Sequence, residues 1–585
     1  MRYVDELTGA LKAQLALAYR TKDLLAYGLR RQLREGYTSA DFRADARAAL
    51  AVSSLGVPLA IALAVTLGVA PQAGLYSAVV AGIVCALLGG SRAQVTGPTA
   101  AIIVVMLPIL HKFGLGGLLV AGAMAGALLV GMGLARMGRL LQFIPHPVTT
   151  GLTTGVAVVI GVLQLRPFLG LPPGHSESSL AAVVQVARSL GHINGWEVLL
   201  GALTLGALLG APRLTRRVPA TLLALALISA LALALTHLVP GFHVATIGSA
   251  FSSTVDGHVI HGIPPLPPLP ILPWHQAPAL TLSYDVVREL LPSAFAIAVL
   301  CAIESLNTAM MGDGMSGSKH DPNAELIALG VANLVCPFFG GIAASGAVAR
   351  TTANLRSGAR SPLAAALQGV FILAAVIVAS PLMAYLPLAA LASMMLVLAR
   401  NQSELLHFTR LAKIGQRSDV LVMLTCFALT VAFDLVLAVT VGVVLAALLF
   451  MRRMAVLTKV VLDTRSTETY ELPPGVRLYE VAGPLFFGAA TSAMDALHSS
   501  GQSAGLLILS MRHVPTIDAT GLVAMESVLE RLQRSRTYVI LAGLQAEVAE
   551  LLERAGIRRV PGRLAIAPDV ETAVSMAIVH SASGL

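Results

Sequence analysis

The sequence predicts an α-helical polytopic membrane protein: fourteen membrane segments in a 7+7 inverted repeat, followed by a small cytoplasmic α/β domain. Three observations carry this. First, 56% of the 585 residues are hydrophobic and only 12% are charged, with a mean hydropathy of +0.79. A soluble protein this apolar cannot cover its surface with polar groups. Second, residues 48–91 and 361–399 contain no charged side chain. As helix the latter window would be about 58 Å long, two crossings of a ~30 Å hydrocarbon core, with Pro381 and Pro387 where a loop would fall. Third, Ala81-x-x-Val84-Cys85-x-x-x-Gly89-Gly90 recurs as Ala332-x-x-Val335-Cys336-x-x-x-Gly340-Gly341. Each copy closes an apolar span and precedes a short polar stretch. Interrupted hydrophobic segments at matching places in an internal repeat point to the binding site of a secondary transporter.

Along the chain, residues 1–46 read as a charged, cytoplasmic amphipathic N-terminus with no signal peptide. A membrane domain over 47–455 follows, its repeats covering about 47–237 and 286–455. Spans fall near 48–66, 72–90, 97–110, 114–135, 148–168, 196–212 and 218–237, then near 286–311, 323–340, 346–356, 361–384, 387–399, 418–433 and 435–451. An odd number of crossings per copy forces the second to enter inverted. With the N-terminus inside, the inner loops carry Arg43, Arg47, Arg92, Arg136, Arg139, Arg213, Arg216, Arg217, Lys319, Arg356, Arg360, Arg400, Arg410, Lys413, Arg417, Arg452 and Arg453, whereas the outer ones carry Lys112, Arg166 and Arg288. That bias obeys the positive-inside rule and places both termini in the cytoplasm, at the cell (inner) membrane. It also accounts for the net charge of +9 without nucleic acid. The outer loop 238–285, with Pro264, Pro265, Pro267, Pro268, Pro270 and Pro273, is expected to be a non-helical, stiff cap. Residues 456–475 read as a polar linker. Residues 476–585 alternate strand-like runs (Leu506–Leu509, Tyr538–Leu541) with helical ones (Gly521–Leu532, Gln545–Ala555), the pattern of an α/β domain.

The four cysteines, Cys85, Cys301, Cys336 and Cys426, lie inside apolar spans with no metal-ligand spacing, so no metal or cofactor is implied. His146, between Pro145 and Pro147, reads as a loop residue; Asp313 and Glu325 read as lying near the cytoplasmic ends of spans, and Asp434 as a surface residue between two spans. Chemistry concentrates in two segments too short to cross, Gly97–Pro108 and Gly346–Arg356. Each follows an extended polar stretch, so each reads as a strand entering to mid-membrane and a half-helix leaving it. Non-helical backbone at that depth survives only when buried in protein or lining a cavity. Thr96 and Ser345 are expected caps, with Pro98 in the first turn. Two half-helix N-termini facing each other would attract an anion; ordinary short helices packed through glycine would not. Arg350, early in the second half-helix, either adds positive potential for that anion or forms a permanent ion pair. Its candidate partner is Glu304, in the middle of an apolar helix with Asn307 and Thr308 one turn on. Such a carboxylate can carry a proton, bind sodium, or hold two helices together.

Taken together these residues resemble the SulP (sulfate permease-type) anion transporters over residues 40–585. The resemblance rests on Val69-Ala-Pro-Gln-Ala-Gly-Leu-Tyr-Ser77, Val95-Thr-Gly-Pro-Thr-Ala100, and Gly340-Gly341 followed by Ala349-Arg350-Thr-Thr-Ala-Asn354. Ala302-Ile-Glu304-Ser305 and Gly314-Met-Ser-Gly-Ser-Lys-His320 look closest to the bacterial C4-dicarboxylic acid transporter branch. Val481-Ala-Gly-Pro-Leu-Phe-Phe-Gly488 and Asp518-Ala-Thr-Gly-Leu522 resemble a STAS domain. The resemblance implies core and gate domains, a homodimer, and a substrate held by Thr96, Gly97, Ala347, Val348, Ala349 and Arg350, with Val57 and Pro58 closing the pocket. It implies a coupling role for Glu304, with Thr308 beside it, and a proton rather than sodium as the coupling cation. Thr520 occupies the place of a phosphorylatable serine, and the STAS domain is a possible contact for a cytoplasmic protein partner.

The function these features imply is secondary active anion transport by alternating access, not enzymatic catalysis. The substrates expected first are C4-dicarboxylates (succinate, fumarate, aspartate), with sulfate or bicarbonate next. The competitors are a nucleobase transporter of the same architecture, which would bind a neutral ring, and a membrane-tethered STAS interaction protein that no longer transports.

Overall fold

The structure, a computed structural model, describes the chain apart from residues 1–23, 142–144, 173, 175–178, 215–219, 256–257, 277–280, 282, 434, 458, 463–471, 487–504 and 583–585. The expectations for Asp434, Arg216, Arg217, Gly488 and most of the N-terminal segment lie outside the described residues. The chain forms two compact units, 1–443 and 444–585.

The first unit opens with α1 (Tyr27–Glu35) and α2 (Ser39–Leu67). The start of α2 lies well before the expected span. Thr38 accepts from the Asp41 N–H while the Asp41 carboxylate accepts from Thr38, so a capping box starts the helix in its charged segment. Then come α3 (Pro71–Leu88), β1 (Thr96–Gly97), α4 (Ala100–Leu134), α5 (His146–Leu169), α6 (Gly195–Leu214) and α7 (Ala220–Leu238). Within α4 the backbone breaks at Gly114 (φ 67°, ψ −172°). Only glycine adopts that conformation without steric cost, so α4 is a short helix to Phe113 followed by a full one. His146 is the first residue of α5 rather than a loop residue. Its Nδ1 meets Thr150 Oγ1 at 2.8 Å and its ring stacks on His407 at 5.0 Å.

The loop 238–285 is not free of regular structure. It carries a helical turn (Ile247–Ala250), a hairpin of β2 (Ser252–Val255) with β3 (His258–His261), and a 3₁₀ turn (Pro273–His275). The prolines break long helices but leave room for these short elements. The second repeat follows: α8 (Tyr284–Ser316), α9 (Pro322–Val335), β4 (Ser345–Gly346), α10 (Val348–Arg356), α11 (Leu363–Met383), α12 (Leu388–Gln402), the surface helix α13 (Leu405–Ile414), α14 (Arg417–Ala432) and α15 (Leu435–Leu457). Among the described residues nine helices are long and apolar enough to cross a membrane. All four cysteines are buried and free.

These helices sort into two bundles, and each repeat contributes to both. In one, α4 packs on α8 and α9, α11 on α2 and α3, and α10 on α2; in the other, α5 packs on α12 and α14, and α6 on α7 and α12. The first four segments of each repeat thus form one body and later segments the other. Close backbone approach holds the first bundle together. A Cβ on Gly126 of α4 would lie 2.3 Å from the Leu334 nitrogen, and one on Gly330 of α9 would lie 2.5 Å from the Val130 nitrogen. Small residues allow this contact where lipid supplies no hydrophobic drive between helices.

In the second unit, β5 (Lys459–Leu462), β6 (Val476–Ala482), β7 (Leu506–His513), β8 (Tyr538–Ala542) and β9 (Leu564–Ala567) form one sheet in that order, parallel except for β5. The stretch read as linker therefore contains the antiparallel edge strand. Alternate residues build two cores. Val481, Leu507, Leu509, Val539 and Leu541 pack with Met525, Val528 and Leu532 of α16 (Ala519–Arg534) and with Val548 and Leu552 of α17 (Ala546–Arg554). Leu478, Leu506, Ile508 and Ile540 pack with Ala573, Val574 and Ala577 of α18 (Val570–Ala582).

Candidate functional site

The two repeats meet at the short strands. β1 and β4 pair antiparallel, with Thr96 opposite Gly346 and Gly97 opposite Ser345. One half-helix begins immediately after each strand, at Ala100 and at Val348. The polar backbone that lies among apolar helices here is satisfied by side chains. Asn333 bridges Ala344, donating to its carbonyl at 2.8 Å and accepting from its N–H at 2.8 Å. Asn354 donates to the Ala93 carbonyl, Ser77 to that of Ile342 and Thr308 to that of Gly346. Val95 N–H donates to Thr351 Oγ1. Thr308 is therefore engaged with β4 rather than with Glu304, and Asn307 is exposed, on a different face of α8.

Neither half-helix has a side-chain cap. Thr96 Oγ1 is buried with no partner. Ser345, the other expected cap, donates instead to Glu304 Oε2 at 2.6 Å, as does Thr99, the residue at the N-cap of α4, also at 2.6 Å. The two hydroxyls lie 2.9 Å apart. Glu304 thereby clips the start of one half-helix to the strand preceding the other. The N–H groups of both first turns remain free to attract negative charge.

Arg350 lies between these ends. It is 1% exposed, and its Nη2 donates to the Pro98 carbonyl at 2.8 Å. Nε and Nη1 are buried without a partner. Among the described residues it makes no ion pair, so the expected pairing with Glu304 is absent: that carboxylate is taken by the two hydroxyls. Gly97 lets the guanidinium approach, since a Cβ there would lie 2.5 Å from Nη1, and Gly56 of α2 faces the stem, a Cβ there lying 3.9 Å from Arg350 Cδ and 2.9 Å from Nε2 of Gln368 on α11. Val57 and Pro58 follow Gly56 on α2, which packs on α10; Val57 is half-buried and Pro58 buried. Ala347 is buried, while Val348, at 51% exposure, and Ala349 face open space at the start of α10. The arrangement is a polar cradle of two helix ends around a buried cation that has no ion pair among the described residues, with exposed Val348 and Ala349 beside it.

Thr99, Ser345 as a Glu304 ligand, Gln94 and Pro98 were not assigned these roles from the sequence. Gln94 Nε2 donates to Ser305 Oγ at 2.5 Å and a Cβ on Gly346 would lie 2.4 Å from it, so it packs the β4 crossing. Its signal was available: a lone amide between two apolar spans. Glu325, read as a span-end acid, is 2% exposed and accepts from the N–H groups of Gly90 and Ser91 at 2.9 and 3.0 Å, anchoring the segment that leads to β1. Thr520 is exposed in the first turn of α16, whose cap is Asp518.

Two interlocked repeats, each with a strand and half-helix meeting at a buried cation, define a membrane transporter rather than an enzyme. Sequence comparison places it further: residues 42–426 match the model of the sulfate permease family and residues 469–573 that of the STAS domain. The chain belongs to the sulfate permease family, and it is an anion transporter with a C-terminal STAS domain. It is 36% identical to the putative sulfate transporter YvdB of Bacillus subtilis (strain 168), over 89% of this chain and 95% of that one. It is 28% identical to the bicarbonate transporter BicA of Picosynechococcus sp., over 89% and 92% of the two chains. Its fold is similar to that of the murine solute carrier 26 family member A9 anion transporter, with a TM-score of 0.82 at 18% identity over 94% of this chain and 93% of that one. It is also similar to the transmembrane domain of a cyanobacterial BicA, with a TM-score of 0.59 at 24% identity over 70% and 98%.

Proposed function

We propose that the chain is a secondary active transporter that binds a small oxyanion in the cradle, against Arg350, Thr96, Gly97, Ala347, Val348 and Ala349, with Val57 and Pro58 lining it from α2. The observation that carries this is the unpaired guanidinium between two uncapped helix N-termini. The described bundle offers it no counter-charge, and an anion would supply one. The anion favoured is sulfate or bicarbonate, because relatives over nearly the whole chain carry those names. The C4-dicarboxylate reading is carried by the Ala302–Ser305 and Gly314–His320 motifs alone, and it is kept as the second. Movement of the bundle bearing the half-helices against the other would give alternating access.

Coupling to a proton through Glu304 is supported by its place: taking up a proton there would alter the clip on Thr99 and Ser345. Thr308 would act on this site only through β4. A homodimer in the cell (inner) membrane with cytoplasmic termini, and contact of the STAS domain with a protein partner through or near Thr520, complete the proposal. The test is uptake into proteoliposomes with sulfate, bicarbonate, succinate, fumarate and aspartate, and uracil as the neutral control, for the wild type and Arg350→Ala. Accumulation of one or more anions that is lost in the variant supports the reading. Anion uptake undiminished in a folded Arg350→Ala protein, or uptake of uracil alone, overturns it.

A further inference from the structure

At the far end of α10 from the cradle, about 13 Å along a nine-residue helix, a cavity of about 310 Å³ opens between the end of α10, the end of α8 and the loop leading into β1. Arg92, Arg356 and Arg360 border it, with Ser316, Met315 and Leu355 completing its wall. No acidic side chain lines it. Acids on the adjoining segments are occupied: Asp41 by Thr38 and by Arg360 at 2.7 Å, Asp45 by Tyr37, Ser361 and the Arg360 N–H, and Asp313 by Ser318 and His320. Arg92 donates through Nε to the Arg360 carbonyl at 2.7 Å. Arg356 is exposed, and among the described residues its guanidinium has neither ion pair nor hydrogen bond. Three arginines thus border one cavity; Arg360 is paired with Asp41 outside it, and Arg92 and Arg356 have no carboxylate partner among the described residues. Crowding like charges is unfavourable unless an anion sits among them, and the guanidinium fork matches the geometry of phosphate oxygens.

We propose that this cavity is a second anion site, distinct from the cradle, that binds a phosphate-type oxyanion, either free phosphate or the phosphate of an anionic lipid headgroup. A ligand there bridges the segment entering β1, through Arg92, to the end of α10, through Arg356. Those are the two arms whose crossing builds the cradle.

The experiment is arginine footprinting of the full chain with phenylglyoxal, mapped by peptide mass spectrometry. Protein in phosphatidylcholine vesicles is compared with and without inorganic phosphate, and with protein in vesicles of phosphatidylcholine mixed with phosphatidylglycerol. Protection of Arg92 and Arg356 by inorganic phosphate identifies a soluble oxyanion; protection only in the phosphatidylglycerol vesicles identifies a lipid. In Arg356→Gln, the ligand concentration that protects Arg92 should rise at least about tenfold, while anion uptake in pure phosphatidylcholine stays at the wild-type rate. Equal modification of Arg92 and Arg356 of the wild type under all conditions overturns the proposal, and so does undiminished protection of Arg92 in the variant. Either result leaves the cradle reading intact, because Arg350 is buried at the other end of the helix.

Discussion

Replacing Arg350 by Met separates a ligand-binding cation from a structural one, because the two roles predict opposite changes in stability. Arg350 is 1% exposed, makes one hydrogen bond, to Pro98, and has two unpartnered nitrogens. Desolvating a cation costs several kcal/mol, while a charged hydrogen bond returns about 1.5–3 kcal/mol. Arg350→Met removes both and fills much of the same volume, so the empty protein should gain about 1–4 kcal/mol. Anion binding should move the other way. The two unpartnered nitrogens, each contributing at least about 1.5 kcal/mol once bonded to an anion, correspond to a loss of about a hundredfold or more in affinity. The assay is a thermal unfolding scan of both proteins in detergent, with and without sulfate and bicarbonate, paired with binding by titration calorimetry. The expected pattern is a higher melting temperature for the variant without anion, and an anion-induced rise in the wild type alone. A variant that melts well below the wild type, as when a buried ion pair loses one partner at about 3–5 kcal/mol, refutes the reasoning. So does an anion-induced rise of the same size in both.

Glu304→Gln keeps the acceptor for the Thr99 and Ser345 hydroxyls but cannot exchange a proton; uptake should become indifferent to an imposed proton gradient while anion binding persists, and an unchanged pH profile of uptake removes Glu304 from coupling. Gly126→Ala places a Cβ 2.3 Å from the Leu334 nitrogen and 2.7 Å from the Gly330 carbonyl, both backbone atoms, so α4 and α9 must part. A cost of about 1–3 kcal/mol is expected as a lower melting temperature, and an unshifted melt would mean the crossing is looser than described. Asp569 accepts the Thr572 N–H at 2.7 Å at the start of α18, which holds its carboxyl below the usual carboxylate range. A depressed folded value stabilises above the unfolded one and is lost as pH falls through the folded one. The protection of 570–582 against hydrogen exchange, taken relative to the intrinsic rate at each pH, should therefore hold at neutral pH and fall below about pH 4, and Asp569→Ala should lower it at neutral pH.

The charge-free windows, the duplicated Cys-x-x-x-Gly-Gly phrase and the two truncated segments made the membrane class, the repeat and the half-helices legible, because hydropathy and chain length are properties of local sequence. The residue types of the cradle were legible for the same reason: Thr96, Gly97 and Arg350 interrupt otherwise apolar runs. What each atom touches was decided only by tertiary structure. Glu304 lies 46 residues from Arg350 in sequence and was the only mid-span carboxylate in view, so pairing was the economical inference. Antiparallel pairing of β1 with β4 instead brings Thr99 and Ser345 to Glu304 and Pro98 to Arg350. Likewise the polar composition of 456–475 concealed β5, whose partner β6 exists only once the sheet has formed. Hydrophobic periodicity reports where a segment lies. Hydrogen-bond partners depend on which segments cross, and that is set by close approach at glycines such as Gly97, Gly126 and Gly330, distant in sequence from what they touch.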